Sequence, residues 1–242
     1  MNNKRSEKID WKKVAGMILF VSLVISIIFV IYKLVNSPSA SEDGYEKLRS
    51  DYVLMLLQCL LGVIIMFIPS VIEHKLSIDI PNKMEVMYFI FLYCAIYLGE
   101  VRNFYYLIPY WDVILHAFSG AMLGALGFSL VCYFNDTDFF NIELSPFFVS
   151  LFAFCFALSA GVVWEIYEFL ADATLGTNMQ KFITADGVVL SGHLALVDTM
   201  KDLIVDALSA LTVTIIGYYS IKNKDHNQDC KPVAEIEYEE VV

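Results

Sequence analysis

Positive charge is scarce in this chain: 16 Lys and Arg stand against 27 Asp and Glu in 242 residues, and only 18% of the chain is charged. An acidic protein with so few cations has no electrostatic footprint for a nucleic-acid backbone, so nucleic acid is not an expected partner. Also missing are an internal repeat, a glycine-rich phosphate loop, an HExxH signature and a nucleophile motif, and no reaction can be named from a local pattern. None of the five cysteines pairs with another at metal-ligand spacing. Cys59, Cys94, Cys132 and Cys155 fall inside hydrophobic stretches and read as small apolar side chains without disulfides.

What is abundant is apolar surface: 58% of residues are hydrophobic and the mean hydropathy is +0.62. Such a chain belongs to the membrane class. Bilayer-length runs are read at Val14–Tyr32, Tyr52–Ile72, Val86–Leu98, Val113–Phe134, Phe147–Phe169 and Leu203–Tyr219. The expected fold is an all-α, polytopic membrane helical bundle of about six spans. Lys4, Arg5, Lys8, Lys12 and Lys13 precede the first span, Lys75 and Lys83 lie in the second connection, and Lys222, Lys224 and Lys231 follow the sixth. All fall on one side if six spans are right, which makes both termini cytoplasmic. The first span reads as an uncleaved anchor, because its apolar core is longer than that of a secretory signal.

The chain divides into a basic cytoplasmic stretch (1–13), three apolar spans (14–100), a core of three spans carrying the polar residues (101–220) and an acidic cytoplasmic tail (221–242). Between the third and fourth spans, Phe104 to Trp111 form an aromatic run suited to the headgroup zone. Between the fifth and sixth, an outer loop over 173–197 contains Asp186-Gly187, a pair suited to a hairpin turn lying over the outer face.

Asp112, His116, Glu165, Glu168, Asp172, Asp198, Asp202 and Asp206 all belong to the last three spans. An acid at helix-centre depth costs ~2.5 to 3.5 kcal/mol on insertion scales, and such residues usually mark a working site. Helical spacing sorts them into stripes with small residues: Asp112, His116, Gly120, Gly124; then Gly161, Glu165, Glu168, Asp172; then Asp198, Asp202, Asp206, Ala210. Small residues let helices approach closely in lipid, so the stripes are expected to face one another around a polar centre toward the extracytoplasmic side. Asp112 and Asp198 read as helix beginnings, where capping is an alternative role. The cations within reach are His116, Lys201, Arg102 and Lys181. The excess of acid is met by a bound cation, by shared protons, or by water access. Oxygen-rich ligation suits Mg²⁺, Mn²⁺ or Ca²⁺ better than Zn²⁺. Asp112, His116, Glu165, Glu168, Asp198 and Asp202 are the candidate metal ligands, His116, Glu165 and Glu168 the candidate catalytic groups, and Asp172, Gln180 and Asp206 further lining residues.

The ordered motifs Asp112-x-x-x-His116-x-x-x-Gly120, Trp164-Glu165-x-x-Glu168, Gly176-x-x-x-Gln180 and Asp198-x-x-x-Asp202 resemble the YjdF family of bacterial inner-membrane proteins of unknown function over roughly Trp111 to Gly217. That resemblance implies a multi-pass protein of the bacterial cytoplasmic membrane and supplies no activity. The chain departs from the family pattern at Ser209, where the family tends to have Gly. The motif order is also faintly similar to VanZ-like membrane proteins linked to glycopeptide resistance.

Three functions are compatible with these residues. One is a divalent-cation-dependent enzyme acting on a lipid or lipid-linked envelope substrate. The second is a transporter coupled to protons or cations, and the third a structural membrane protein whose acids specify helix packing. The oligomeric state is not legible.

Overall fold

The computed structural model describes residues 10–36, 49–76, 80–136, 144–184 and 187–223. The expected basic segment before Asp10 and the acidic tail after Asn223 lie outside the described residues. Six helices are long and apolar enough to cross a membrane, and the chain is an all-α polytopic membrane protein without a β-sheet among the described residues. It divides into two compact units, Met1–Leu107 and Ile108–Val242.

The first unit holds α1 (Trp11–Asn36), α2 (Arg49–Ile65), α3 (Ile68–Leu76), α4 (Asn82–Leu92) and the short α5 (Phe104–Leu107). Its core gathers Leu19 and Leu23 of α1, Cys59 of α2, and Phe89 and Leu92 of α4. The second span is broken between α2 and α3 at Met66-Phe67. Pro69 has no N–H for the Ile65 carbonyl, and the Tyr88 hydroxyl donates to that oxygen instead, at 2.7 Å. The third span continues from α4 as a π-helical stretch, Tyr93–Val101. One polar feature of this unit escapes periodicity. Glu85, whose side chain is fully buried, forms an ion pair with Lys12 of α1, and Glu73 of α3 approaches the same ammonium at 3.7 Å.

The second unit is built from α6 (Trp111–Asp136), α7 (Pro146–Leu175) and α8 (His193–Lys222), each packed on the other two. Ser145 caps α7, its hydroxyl accepting from Phe148 N–H at 3.3 Å with Pro146 in the first turn. Gly176 ends the helix in a left-handed conformation (φ 63°), its N–H returning to the Asp172 carbonyl. Small residues set the helix separation. A β-carbon on Gly120 would strike Ser209 Oγ and come within 2.8 Å of the Asp206 carbonyl oxygen, and one on Gly127 would come within 3.1 Å of Ala153 Cα. Ser209 therefore sits in the space that Gly120 leaves.

Four local expectations change. Helices α7 and α8 run on into the expected 173–197 loop, so the connection is 176–192. Asp198 accordingly lies more than a turn inside α8, which begins at His193, and does not cap it. The hairpin reduces to a single antiparallel bridge, Ile183 with Val189, joined by Thr184 N to Val188 O at 3.0 Å and Leu190 N to Phe182 O at 2.8 Å; Asp186 of its turn lies outside the described residues. Cys59, Cys94 and Cys155 are free thiols, but Cys132 is disulfide-bonded, against the sequence expectation.

Candidate functional site

The three stripes meet at one end of the second unit. Asp112 is in the first turn of α6, and His116 one turn further on is 7% exposed. Glu165 and Glu168 lie on the buried face of α7, Asp202 and Asp206 on that of α8. Asp206 is the hinge of the arrangement, because the absence of a side chain at Gly161 makes room for its carboxylate: a β-carbon there would meet Asp206 Oδ2 at 2.5 Å.

His116 is the focus. Its Nδ1 lies 3.2 Å from Asp206 Oδ2, while its Nε2 faces Asp112 Oδ1 and Glu165 Oε1, each at 3.9 Å. With Asp206 ionised, the shared proton is on Nδ1, and Nε2 either presents a lone pair to two carboxylates or carries a second proton. The 3.9 Å gaps are too long for hydrogen bonds. Asp112, His116 and Asp202 each offer a ligand atom within 4.8 Å of the others. Two ligands across one ion are separated by about 4 to 5 Å at bond lengths of ~2.0 to 2.6 Å, so this trio fits a cation.

Buried acceptors around this trio are left unpaired. Both oxygens of Glu165, Oδ1 of Asp202 and Oδ1 of Asp206 are buried without a hydrogen-bond partner, in side chains only 5%, 2% and 3% exposed. A buried carboxylate oxygen without donor, proton or cation is among the costliest arrangements in a protein interior. The donor set therefore needs positive charge or protons brought to it, and Asp112, His116 and Asp202 converge where that charge would lie, with the candidate ligand Glu165 beside His116 but outside the trio.

The other expected residues have separate partners. Glu168 Oε1 accepts from Trp164 Nε1 at 2.9 Å. Asp198 is half-buried, one turn before Asp202, and neither it nor Glu168 joins the ligand trio. Asp172 organises the connection: Oδ1 accepts from the Thr177 hydroxyl at 2.6 Å and Met179 N at 2.7 Å, and Oδ2 from Gln180 N at 2.9 Å. Gln180 then ties this loop to α8 through Nε2 to Thr199 Oγ1 at 3.0 Å. Thr199 and Trp164 were visible only as letters within motifs, since a hydroxyl and an indole carry no signal of their own until a carboxylate or amide is brought to them.

A family model described as "Predicted membrane protein (DUF2238)" matches residues 15–223. An uncharacterised protein of Thermotoga maritima is 32% identical over 153 residues, covering 63% of this chain and 70% of its own length. No solved structure matches.

Proposed function

Since the chain belongs to the DUF2238 family of predicted membrane proteins, a membership that carries no activity, we propose from the site itself that this is an intramembrane enzyme dependent on a divalent cation and acting on a lipid or lipid-linked envelope substrate. The observation that carries the reading is the set of buried carboxylate oxygens of Glu165, Asp202 and Asp206 around His116 that have no hydrogen-bond partner. Asp112, His116 and Asp202 would hold the ion, the histidine through Nε2 because Nδ1 faces Asp206, with Mg²⁺, Mn²⁺ or Ca²⁺ favoured by the oxygen-rich set. When bound, the cation supplies Lewis-acid polarisation of a phosphoryl or carbonyl oxygen and a more acidic water.

The protein's own groups do the rest. Asp206 on Nδ1 fixes the imidazole so that Nε2 points at the ligand carboxylates, the arrangement by which a carboxylate orients a metal-binding histidine. Glu165, next to Nε2 and in a water-poor setting, accepts a proton from the attacking water and returns it to the leaving group. The scarcity of Lys and Arg on one side of the spans supports an extracytoplasmic placement of this end. The family that the comparisons show is DUF2238 and not specifically YjdF, and neither resemblance names an activity; the faint similarity of the motif order to the VanZ-like proteins is what points toward envelope lipid chemistry.

Coupled transport fits less well. No Asp, Glu, His, Lys or Arg occurs in α6 from 117 to 135, in α7 from 146 to 164 or in α8 from 207 to 221, so the polar residues do not continue across the bilayer as a translocation path would require.

Elemental analysis of the purified protein by inductively coupled plasma mass spectrometry tests the reading. Stoichiometric Mg, Mn or Ca is expected, lost in a folded Asp202→Asn variant; Glu165→Gln keeps the metal and loses turnover of envelope lipids. Wild-type protein that stays metal-free after supplementation refutes it.

A further inference from the structure

Resting on that reading, we infer that the substrate presents a phosphate-bearing anionic headgroup, gripped by Lys181 and Lys201 at the mouth of the carboxylate centre. In a chain so poor in cations, two of them reach this one rim from different elements. Lys201 is exposed on α8, directly before Asp202. Its ammonium stands 6.0 Å from the centroid of the Tyr110 ring, in the turn that leads into α6 and Asp112. Among the described residues its ammonium has no carboxylate oxygen within 4.0 Å, so it makes no direct ion pair, and Asp198 feels its charge, together with that of Lys181, only from further off.

Lys181 arrives from the loop. Gln180 is bonded to Thr199, which pins the next residue beside the α8 turn carrying Asp198 and Asp202. Lys181 is half-buried and holds a left-handed backbone (φ 52°), an uncommon conformation for a residue with a side chain, with Nζ donating to the Met179 carbonyl at 3.0 Å. That conformation persists because the loop is knit on both sides. Asp172 grips Met179 N and Gln180 N, and Asn178 exchanges two bonds with Ile183, at 2.7 and 2.9 Å. Costly backbone held by surrounding bonds concentrates at functional positions.

The chemistry selects the ligand. An acid-lined centre repels any anion unless cations stand at its entrance, and a neutral or cationic headgroup gains nothing from two ammonium groups. A phosphate takes charge-assisted hydrogen bonds from both lysines and leaves an oxygen for the bound cation. Its source is either a phospholipid headgroup in the bilayer or a soluble phosphate, and the experiment separates them.

The full chain, loaded with Mn²⁺ in detergent, is titrated calorimetrically with inorganic phosphate; in parallel it is placed in phosphatidylcholine nanodiscs with and without phosphatidic acid. Lys181→Gln and Lys201→Gln are each expected to weaken binding about tenfold or more with bound Mn unchanged, and Lys181→Arg and Lys201→Arg to retain most of it. Binding of inorganic phosphate without phosphatidic acid keeps the anion class and places its source in solution. No phosphate binding by Mn-loaded protein, or equal affinity in wild type and both Gln variants, overturns the inference and leaves the cation reading standing. Protein that takes up no Mn yet binds phosphate through the two lysines upholds it and removes the cation reading.

Discussion

Adding a methyl group to three glycines separates helix packing from site geometry. At Gly120 the new carbon lands on Ser209 Oγ, 2.8 Å from the Asp206 carbonyl oxygen and 3.0 Å from Asp206 Cα. The last two are backbone atoms and cannot swing aside. Ordinary contact needs about 3.5 to 4.0 Å, so α6 and α8 must part by roughly 0.5 to 1 Å. Overpacking of this kind costs about 1 to 3 kcal/mol, and the better helix propensity of alanine returns at most about 1 kcal/mol. Gly120→Ala is therefore expected to lose on the order of 1 to 2 kcal/mol. One turn along, a β-carbon at Gly124 lies 3.5 Å from Ala210 Cα and O. That is ordinary contact, and Gly124→Ala should be neutral or slightly stabilising. At Gly161 the nearest atoms all belong to the Asp206 side chain, Oδ2 at 2.5 Å and Cγ at 3.2 Å. Here the helices stay and the carboxylate moves, away from His116 Nδ1. Gly161→Ala should change stability little but weaken cation binding by about 10- to 100-fold, the usual cost of losing a group that orients a ligand histidine. Thermal unfolding in one detergent, with cation content measured on the same preparations, reads both quantities. A Gly124→Ala protein less stable than Gly120→Ala would refute the account of helix contact, and unaltered cation affinity in Gly161→Ala would refute the role given to Asp206.

Asp172→Ala removes three hydrogen bonds that hold residues 177–180; a local destabilisation of about 1 to 3 kcal/mol should appear as faster proteolysis in the 176–192 connection with the melting temperature of the helices little changed. In the first unit, Lys12→Met removes the ammonium paired with the buried Glu85 carboxylate and should cost about 3 kcal/mol, whereas Glu85→Gln removes the buried charge itself and should cost less; equal melting temperatures for the two variants would count against the ion pair as described. If both termini are cytoplasmic, as the Lys and Arg distribution predicts, a green fluorescent protein fused at the carboxyl terminus will fluoresce and alkaline phosphatase fused there will stay inactive; the opposite pattern overturns the orientation.

Much of the fold was legible because lipid imposes a one-dimensional rule. With no water to satisfy backbone groups, each spanning run has to be a helix, and the six apolar stretches correspond to six spanning helices, most ends displaced by a few residues and the sixth starting at His193 instead of Leu203. The displacements fall where polar residues continue a helix beyond its apolar run, as at Asp172 and at His193 to Asp198. The broken second span and the π-helical third were not legible, since Pro69 marks a possible interruption and only the Tyr88 hydroxyl, contributed from a different helix, shows that the freed carbonyl is satisfied. The Lys12–Glu85 pair was missed for the same reason: two residues at the edges of separate runs carry no shared period.

From the sequence alone came the membrane class, the helix count and the stripes that join Asp112 to His116 and Gly120, Gly161 to Glu165, and Asp202 to Asp206, because a helix of 3.6 residues per turn makes faces predictable from spacing. Which faces meet, and how each acid is used, was decided by tertiary structure. Asp206 reaches His116 only because Gly161 vacates its space, Asp172 turns from the centre to grip a loop, and Glu165 is left buried beside His116 without a hydrogen-bond partner. Spacing determines direction around one helix axis, whereas partnership depends on distances between axes, and those follow from the small residues through which α6, α7 and α8 touch.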